Sequence, residues 1–145
     1  MERRRTGETT SFTVGGAEFF LTANSYLEGR LGEIFAKFGK QGSTLAGLMD
    51  AISIIMSIGI QHGVPLKTYV QKLSSMRFEP MGMTDDPDVP EASSVMDYIA
   101  RRLALDFLDP ETRAELNIFS VDEQARQLVE GSYRQRELPG VGWRG

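Results

Sequence analysis

Three stretches of the chain carry side chains suited to chemistry. The first is Phe38-Gly39-Lys40-Gln41-Gly42-Ser43-Thr44, a β-type run that ends in a glycine loop and feeds a helix start. Exposed N–H groups, the positive end of a helix dipole, a lysine and two hydroxyls together suit a phosphate or a carboxylate. The glycine spacing of a P-loop is absent, and no parallel βαβ pattern surrounds the loop. The same residues also make a plain turn in which Ser43 caps the helix. Both readings stand on the residues alone.

The second stretch holds Asp50 and His62, the one as the sole charge inside a long apolar helix pattern and the other at its end. Asp50 facing a cleft would be a functional carboxylate, paired with Arg77 or Lys72. An exposed position is the simpler alternative. A histidine in a last helical turn favours the negative end of the dipole. A hydrolytic set of Asp50, His62 and a serine lacks a nucleophile elbow. The third stretch, Arg77-Phe78-Glu79-Pro80, sets an arginine fork, an aromatic plane and a carboxylate before an acidic loop. That combination suits a planar or anionic group, and an Arg–Glu pair bracing the loop is equally simple. The expected anion site is therefore Gly39, Lys40, Gln41, Gly42, Ser43, Thr44 and Arg77. Asp50, Phe78 and Glu79 are candidate ligand or partner contacts, and no catalytic or metal-ligating residue is assigned.

Composition limits the chemistry. With no cysteine and one histidine, the chain offers no disulfide, thiolate metal site, iron–sulfur cluster or thiyl radical of its own, and too few nitrogen ligands for an ordinary zinc site. A net charge of −4 argues against a broad nucleic-acid surface. Arg3, Arg4 and Arg5 make a basic start, either a solvated end or a grip on a phosphate or partner, while Asp85, Asp86, Asp88 and Glu91 make an acidic middle. No signal-peptide pattern opens the chain. The apolar run from Ser43 to Gln61 approaches membrane-spanning length, but it is broken by Asp50 and reads as a buried core helix. The expectation is a cytoplasmic domain without a membrane segment.

At 145 residues, one core is expected, able to bury roughly 70% of the unfolded surface. Residues 1–8 are polar and expected to be flexible, residues 9–130 form one α+β domain, and 131–145 form a flexible tail. Ser11-Phe12-Thr13-Val14, the turn signal Gly15-Gly16, Phe19 to Ala23, and Gly32 to Phe38 predict a three-stranded antiparallel meander. A long helix follows from Ser43 or Thr44 to His62-Gly63, expected to be the central, mostly enclosed element covering the inner face of the sheet. A shorter helix opens at Pro65 with Tyr69, Val70 and Leu73 inward, and residues 80–91 read as a surface loop. A third helix covers Ala92 to Leu108 on the stripe Met96, Ile99, Leu103 and Phe107, with Arg101-Arg102 outside it. A turn of helix at Pro110 to Leu116 and an amphipathic helix from Val121 to Glu130 follow, the latter announced by the Ser120/Glu123 capping box.

Several segments together resemble one family. Gly32-Glu33-Ile34-Phe35, Lys40 to Asp50, Gln61 to Leu66, Met76 to Pro80, and Ser94 to Ile99 with Arg101-Arg102-Leu103-Ala104 are similar to the C-terminal accessory region, of the TSCPD type, in adenosylcobalamin-dependent (class II) ribonucleotide reductases. The resemblance runs from about Arg3 to Leu108. It implies a non-catalytic regulatory module that binds the catalytic chain, a nucleotide, or both. The radical-bearing cysteine, the reducing cysteine pair and adenosylcobalamin belong to the family's catalytic barrel, so no cofactor is expected on this chain. The competing expectation is a free-standing, phage-encoded protein that sequesters a nucleotide or cyclic nucleotide as a homo-oligomer.

Overall fold

The computed structural model describes residues 6–40 and 42–137, with side chains from residue 7 to residue 131. Arg3-Arg4-Arg5, Gln41 and the tail from residue 138 lie outside the described residues. Strands β1 (Thr6–Val14), β2 (Ala17–Ser25) and β3 (Leu31–Phe38) form the expected antiparallel meander in the order β1-β2-β3. β1 begins at Thr6, inside the stretch expected to be flexible, because Thr6, Gly7 and Glu8 pair with Ser25, Asn24 and Ala23. Ladder pairing uses the backbone, so polar residues extend a strand without an apolar signature. Gly15 and Gly16 turn the first hairpin with φ of 57° and 84°, the two left-handed positions a two-residue type I′ loop requires.

The register puts Phe12, Phe19, Leu21, Ile34 and Ala36 on one face, where all five are buried. The helix that covers this face is α3 (Val95–Phe107), which buries Val95, Met96, Tyr98, Ile99, Leu103 and Ala104. The Tyr98 ring stacks on Phe12 with centroids 4.1 Å apart, and Phe12 on Phe19 at 5.5 Å. Each such pair adds about 0.5–1.5 kcal/mol beyond its buried area. α3 starts at Val95 rather than Ala92, since Ala92 belongs to a strand and Ser94 caps Asp97 N–H.

The long helix α1 (Thr44–Gln61) is present with the expected ends and packs on the sheet, but it is not enclosed. It lies along β3, the edge strand, and buries only Met49, Ser53, Met56, Ser57 and Ile60. Two serines one turn apart bond the free side of β3. Ser53 Oγ accepts from Ala36 N–H at 2.9 Å, while Ser57 Oγ accepts from Ile34 N–H at 3.0 Å and donates to Ile34 C=O at 2.9 Å. Gln61 Nε2 continues the row by donating to Gly32 C=O at 3.3 Å. A helix along an edge needs only one narrow face, and covering the edge removes a template for unwanted pairing. Leu48, Ile54, Ile55 and Ile58 consequently stay exposed. At the end of α1, Gly63 N–H bonds Ile60 C=O and Val64 N–H bonds Gly59 C=O, a Schellman closure with Gly63 at φ 95°.

α2 (Leu66–Leu73) packs against α3 through Val70 and Leu73. The surface stretch 80–91 carries short strands that make a small hairpin, β4 (Gly82–Met83) and β5 (Glu91–Ala92), set beside β1 by the Val14–Thr84 bridge. α4 (Pro110–Glu115) is capped by Asp109, which accepts from Thr112 N–H at 2.7 Å. α5 (Val121–Glu137) starts on the expected capping box but runs past Glu130. Leu128 and Val129 are 75% and 70% exposed, so these two apolar side chains of α5 are not packed against the rest of the domain.

Candidate functional site

The Gly39–Thr44 loop leaves β3 at the edge strand. Gly39 N–H bonds Glu18 C=O, Gly42 takes φ 78°, and Ser43 Oγ accepts from Ala46 N–H at 3.1 Å while donating to Lys40 C=O at 3.3 Å. The Ser43 hydroxyl is thus committed to the cap. Lys40 is exposed, and among the described residues its ammonium makes no ion pair. Gln41 lies outside the described residues. Thr44 is exposed at the first helical position.

Arg77 is not part of that loop's surroundings. It lines a 330 Å³ cleft with Met81, Gly82, Glu91, Asp97 and Arg101, on the side of the β4–β5 hairpin. β4 borders β1, whereas Lys40 follows β3 at the opposite edge of the sheet. Phe78 is partly buried and packs against the core, and its N–H bonds Ser93 C=O. Glu79 is exposed, and no Arg77–Glu79 pair occurs among the described residues. Asp50 is exposed, away from any pairing with Arg77 or Lys72 among the described residues. His62 is the C-cap of α1, and its Nδ1 donates to Ile58 C=O at 2.9 Å, which is the plain capping role.

The dense polar chemistry lies elsewhere, where the sequence pattern did not mark it. Arg102 is 18% exposed and pairs with Asp86 at 3.0 Å, Asp88 at 3.3 Å and Asp106 at 2.8 Å. Tyr98 donates to Asp86 at 2.7 Å. Burial opposes ionisation of Asp86, but the Tyr98 hydroxyl, the Arg102 guanidinium and the Asp88 N–H outweigh it and hold this carboxyl below its ordinary value. Burial, reinforced by Asp86, pushes the Tyr98 phenol up. Burial works against the Arg102 charge, yet Asp106 and Asp86 raise its pKa. Asp88 also accepts from Val121 N–H at 2.9 Å, and Asp85 accepts from Thr13 N–H at 2.9 Å. Three acids of the hairpin thereby stitch it to β1, α3 and α5.

A second knot surrounds Asp97, which is fully buried. Its oxygens accept from Ser75 N–H at 2.6 Å, Ser93 N–H at 3.0 Å and Arg101 Nε at 3.0 Å. The carboxylate fixes the Ser75–Phe78 segment, with Ser75 at φ 69°, against the start of α3. In a third knot Arg113 donates to Glu123 at 2.6 Å, and this pairing with the Ser120 N–H holds Glu123 down to about 2. All three knots are internally satisfied, as a scaffold requires. Among the described residues no group of three acids or histidines is placed to hold a metal ion.

A three-stranded meander closed on one edge by α1 and on one face by α3 defines a small α+β domain, and the TSCPD domain family matches residues 1–107 of it. The chain belongs to that family. It is similar to proteins named vitamin B12-dependent ribonucleotide reductase: 61% identical over 137 residues to that of Streptantibioticus cattleyicolor, covering 94% of this chain and 23% of the relative. The identity is 63% over 133 residues with that of Streptomyces avermitilis, 92% and 14% being covered, and 34% over 146 residues with that of Agrobacterium fabrum, 99% and 11% being covered. The chain spans between about a ninth and a quarter of the length of these relatives. No solved structure matches it.

Proposed function

We propose that the chain is a non-catalytic accessory module of a class II ribonucleotide reductase system in the cytoplasm. In this reading it associates with the catalytic chain, which holds adenosylcobalamin and the redox cysteines, and adjusts its turnover or its nucleotide response. The observation that carries the proposal is the match itself, with close relatives that are reductases several times longer than this chain. The absence of cysteine from the sequence supports it, because reduction through a thiyl radical and a dithiol then has to be supplied by another part of the system.

The ligand half of the proposal rests on Lys40, an exposed ammonium two residues before the glycine at φ 78° and just ahead of the α1 N-terminus. These groups suit a phosphate, with Arg77 outside the contact set. Isothermal titration of nucleoside di- and triphosphates into wild type and Lys40→Ala tests it. A charge-assisted contact of about 1.5–3 kcal/mol predicts tenfold to hundredfold weaker binding in the variant, less at high salt. Equal affinity for the two proteins removes the loop from the site.

A further inference from the structure

We propose that Arg77 and Arg101 form an oxyanion clamp, the phosphate end of a nucleotide site that continues into the amide-rimmed cleft between the β4–β5 hairpin and α5. The proposal depends neither on the reductase reading nor on the Lys40 loop. Both arginines line the 330 Å³ cleft beside β4 and β5, and both are fixed by one buried carboxylate. Asp97 accepts from Arg101 Nε at 3.0 Å, while the Arg101 side chain remains 38% exposed and its Nη1 and Nη2 make no hydrogen bond among the described residues. The same carboxylate accepts from the N–H groups of Ser75 and Ser93. Ser93 in turn holds both neighbours of Arg77, donating its hydroxyl to Met76 C=O at 2.8 Å and accepting from Phe78 N–H at 3.1 Å. The Arg77 side chain is exposed and has no ion pair or hydrogen bond among the described residues.

Arg102, next in the chain, spends Nη1 and Nη2 on Asp86, Asp88 and Asp106, so the idle forks of Arg77 and Arg101 are not the rule in this fold. Glu91 lines their cleft yet pairs with neither. Asp97 offsets one of the two charges, which leaves the clamp resting on fork geometry as much as on charge. A phosphate between the forks would accept paired, charge-assisted bonds from both. The rest of the ligand follows from a second cleft of 510 Å³, which shares Arg101 and Glu91 with the first. Val89 and Ile118, both buried, and the half-buried Leu105 and Phe119 give it an apolar bed. Its rim carries the carboxamides of Asn117 and Gln127, each able to present a donor beside an acceptor. An apolar bed with a few convergent polar groups is the makeup of a small-molecule site. A phosphate at one end, a planar body with hydrogen-bonding edges at the other, and hydroxyls that donate to the shared Glu91 are the chemistry of a nucleotide.

Titration calorimetry with pyrophosphate and with the common ribonucleoside diphosphates tests the proposal, in a Lys40→Ala chain so that the loop contributes nothing. At least one diphosphate should bind, and tighter than pyrophosphate by about tenfold or more, since only the nucleotide reaches the second cleft. Arg77→Ala and Arg101→Lys should each weaken it about tenfold to a hundredfold, the lysine keeping a charge for Asp97 but losing the fork. Lys67→Ala removes a cation outside both clefts and should leave the affinity within about twofold. Thermal melts without ligand check that every variant is folded. No binding by any diphosphate, binding insensitive to both arginine changes, or pyrophosphate bound as tightly as every diphosphate overturns the proposal.

Discussion

Replacing Ser57 by alanine isolates the device that fastens α1 to the sheet. Ser57 is 8% exposed and its hydroxyl both accepts from Ile34 N–H at 3.0 Å and donates to Ile34 C=O at 2.9 Å. Alanine leaves that buried N–H without a partner, which costs about 1–3 kcal/mol. The better helix propensity of alanine returns about 0.5 kcal/mol. The expected net loss is therefore about 0.5–2.5 kcal/mol, a drop of a few degrees in melting temperature for a domain of this size. Urea unfolding should show a lower midpoint with an unchanged slope, since the packed surface is the same. Asp50→Ala, an exposed change in the same helix, should stay within about 0.5 kcal/mol of wild type. Amide exchange adds a local check, as Ile34 and Ala36 should be protected despite lying on an edge strand. A Ser57→Ala protein as stable as wild type, or fast exchange at Ile34, would refute the edge-capping account.

Arg102→Leu strips Asp86, Asp88 and Asp106 of their common cation and leaves Asp86 half-buried with its charge uncompensated. A loss of roughly 2–4 kcal/mol and faster amide exchange from Thr84 to Val89 are expected, and unchanged exchange there would contradict the stitching role. Glu123 has a folded pKa of about 2 against an ordinary value of about 4.3, so its stabilisation is full above that ordinary value and is lost as pH falls toward 2. Glu123→Gln should melt below wild type at pH 7, with the gap closing between about pH 5 and pH 2; a gap that persists at pH 2 contradicts the pairing.

The meander was legible because Gly15-Gly16 is a turn signal and Phe12, Val14, Phe19 and Leu21 keep a period of two. The ends of α1, α4 and the start of α5 were legible because capping residues announce themselves within a few positions. The place of α1 was not. Its uniform apolar character reads as burial, whereas the decisive residues are Ser53 and Ser57, small polar side chains whose partners on β3 are distant in sequence. The acidic run 85–91 shows only as a surface loop for a similar reason, since nothing local says that Arg102 and Tyr98 hold Asp86. Of the expected site, the Lys40 loop keeps its exposed cation, while Phe78 packs partly buried against the core and Arg77 lies toward the opposite edge of the sheet.

The most direct test of the accessory reading is a turnover assay of a class II ribonucleotide reductase catalytic chain lacking its own TSCPD segment, run with and without this chain in the presence of effector nucleotides. The account predicts that the added chain co-purifies with the catalytic chain and changes its rate or its effector response, and that it reduces no ribonucleotide alone. No co-purification and an unaltered rate across all effectors would contradict it.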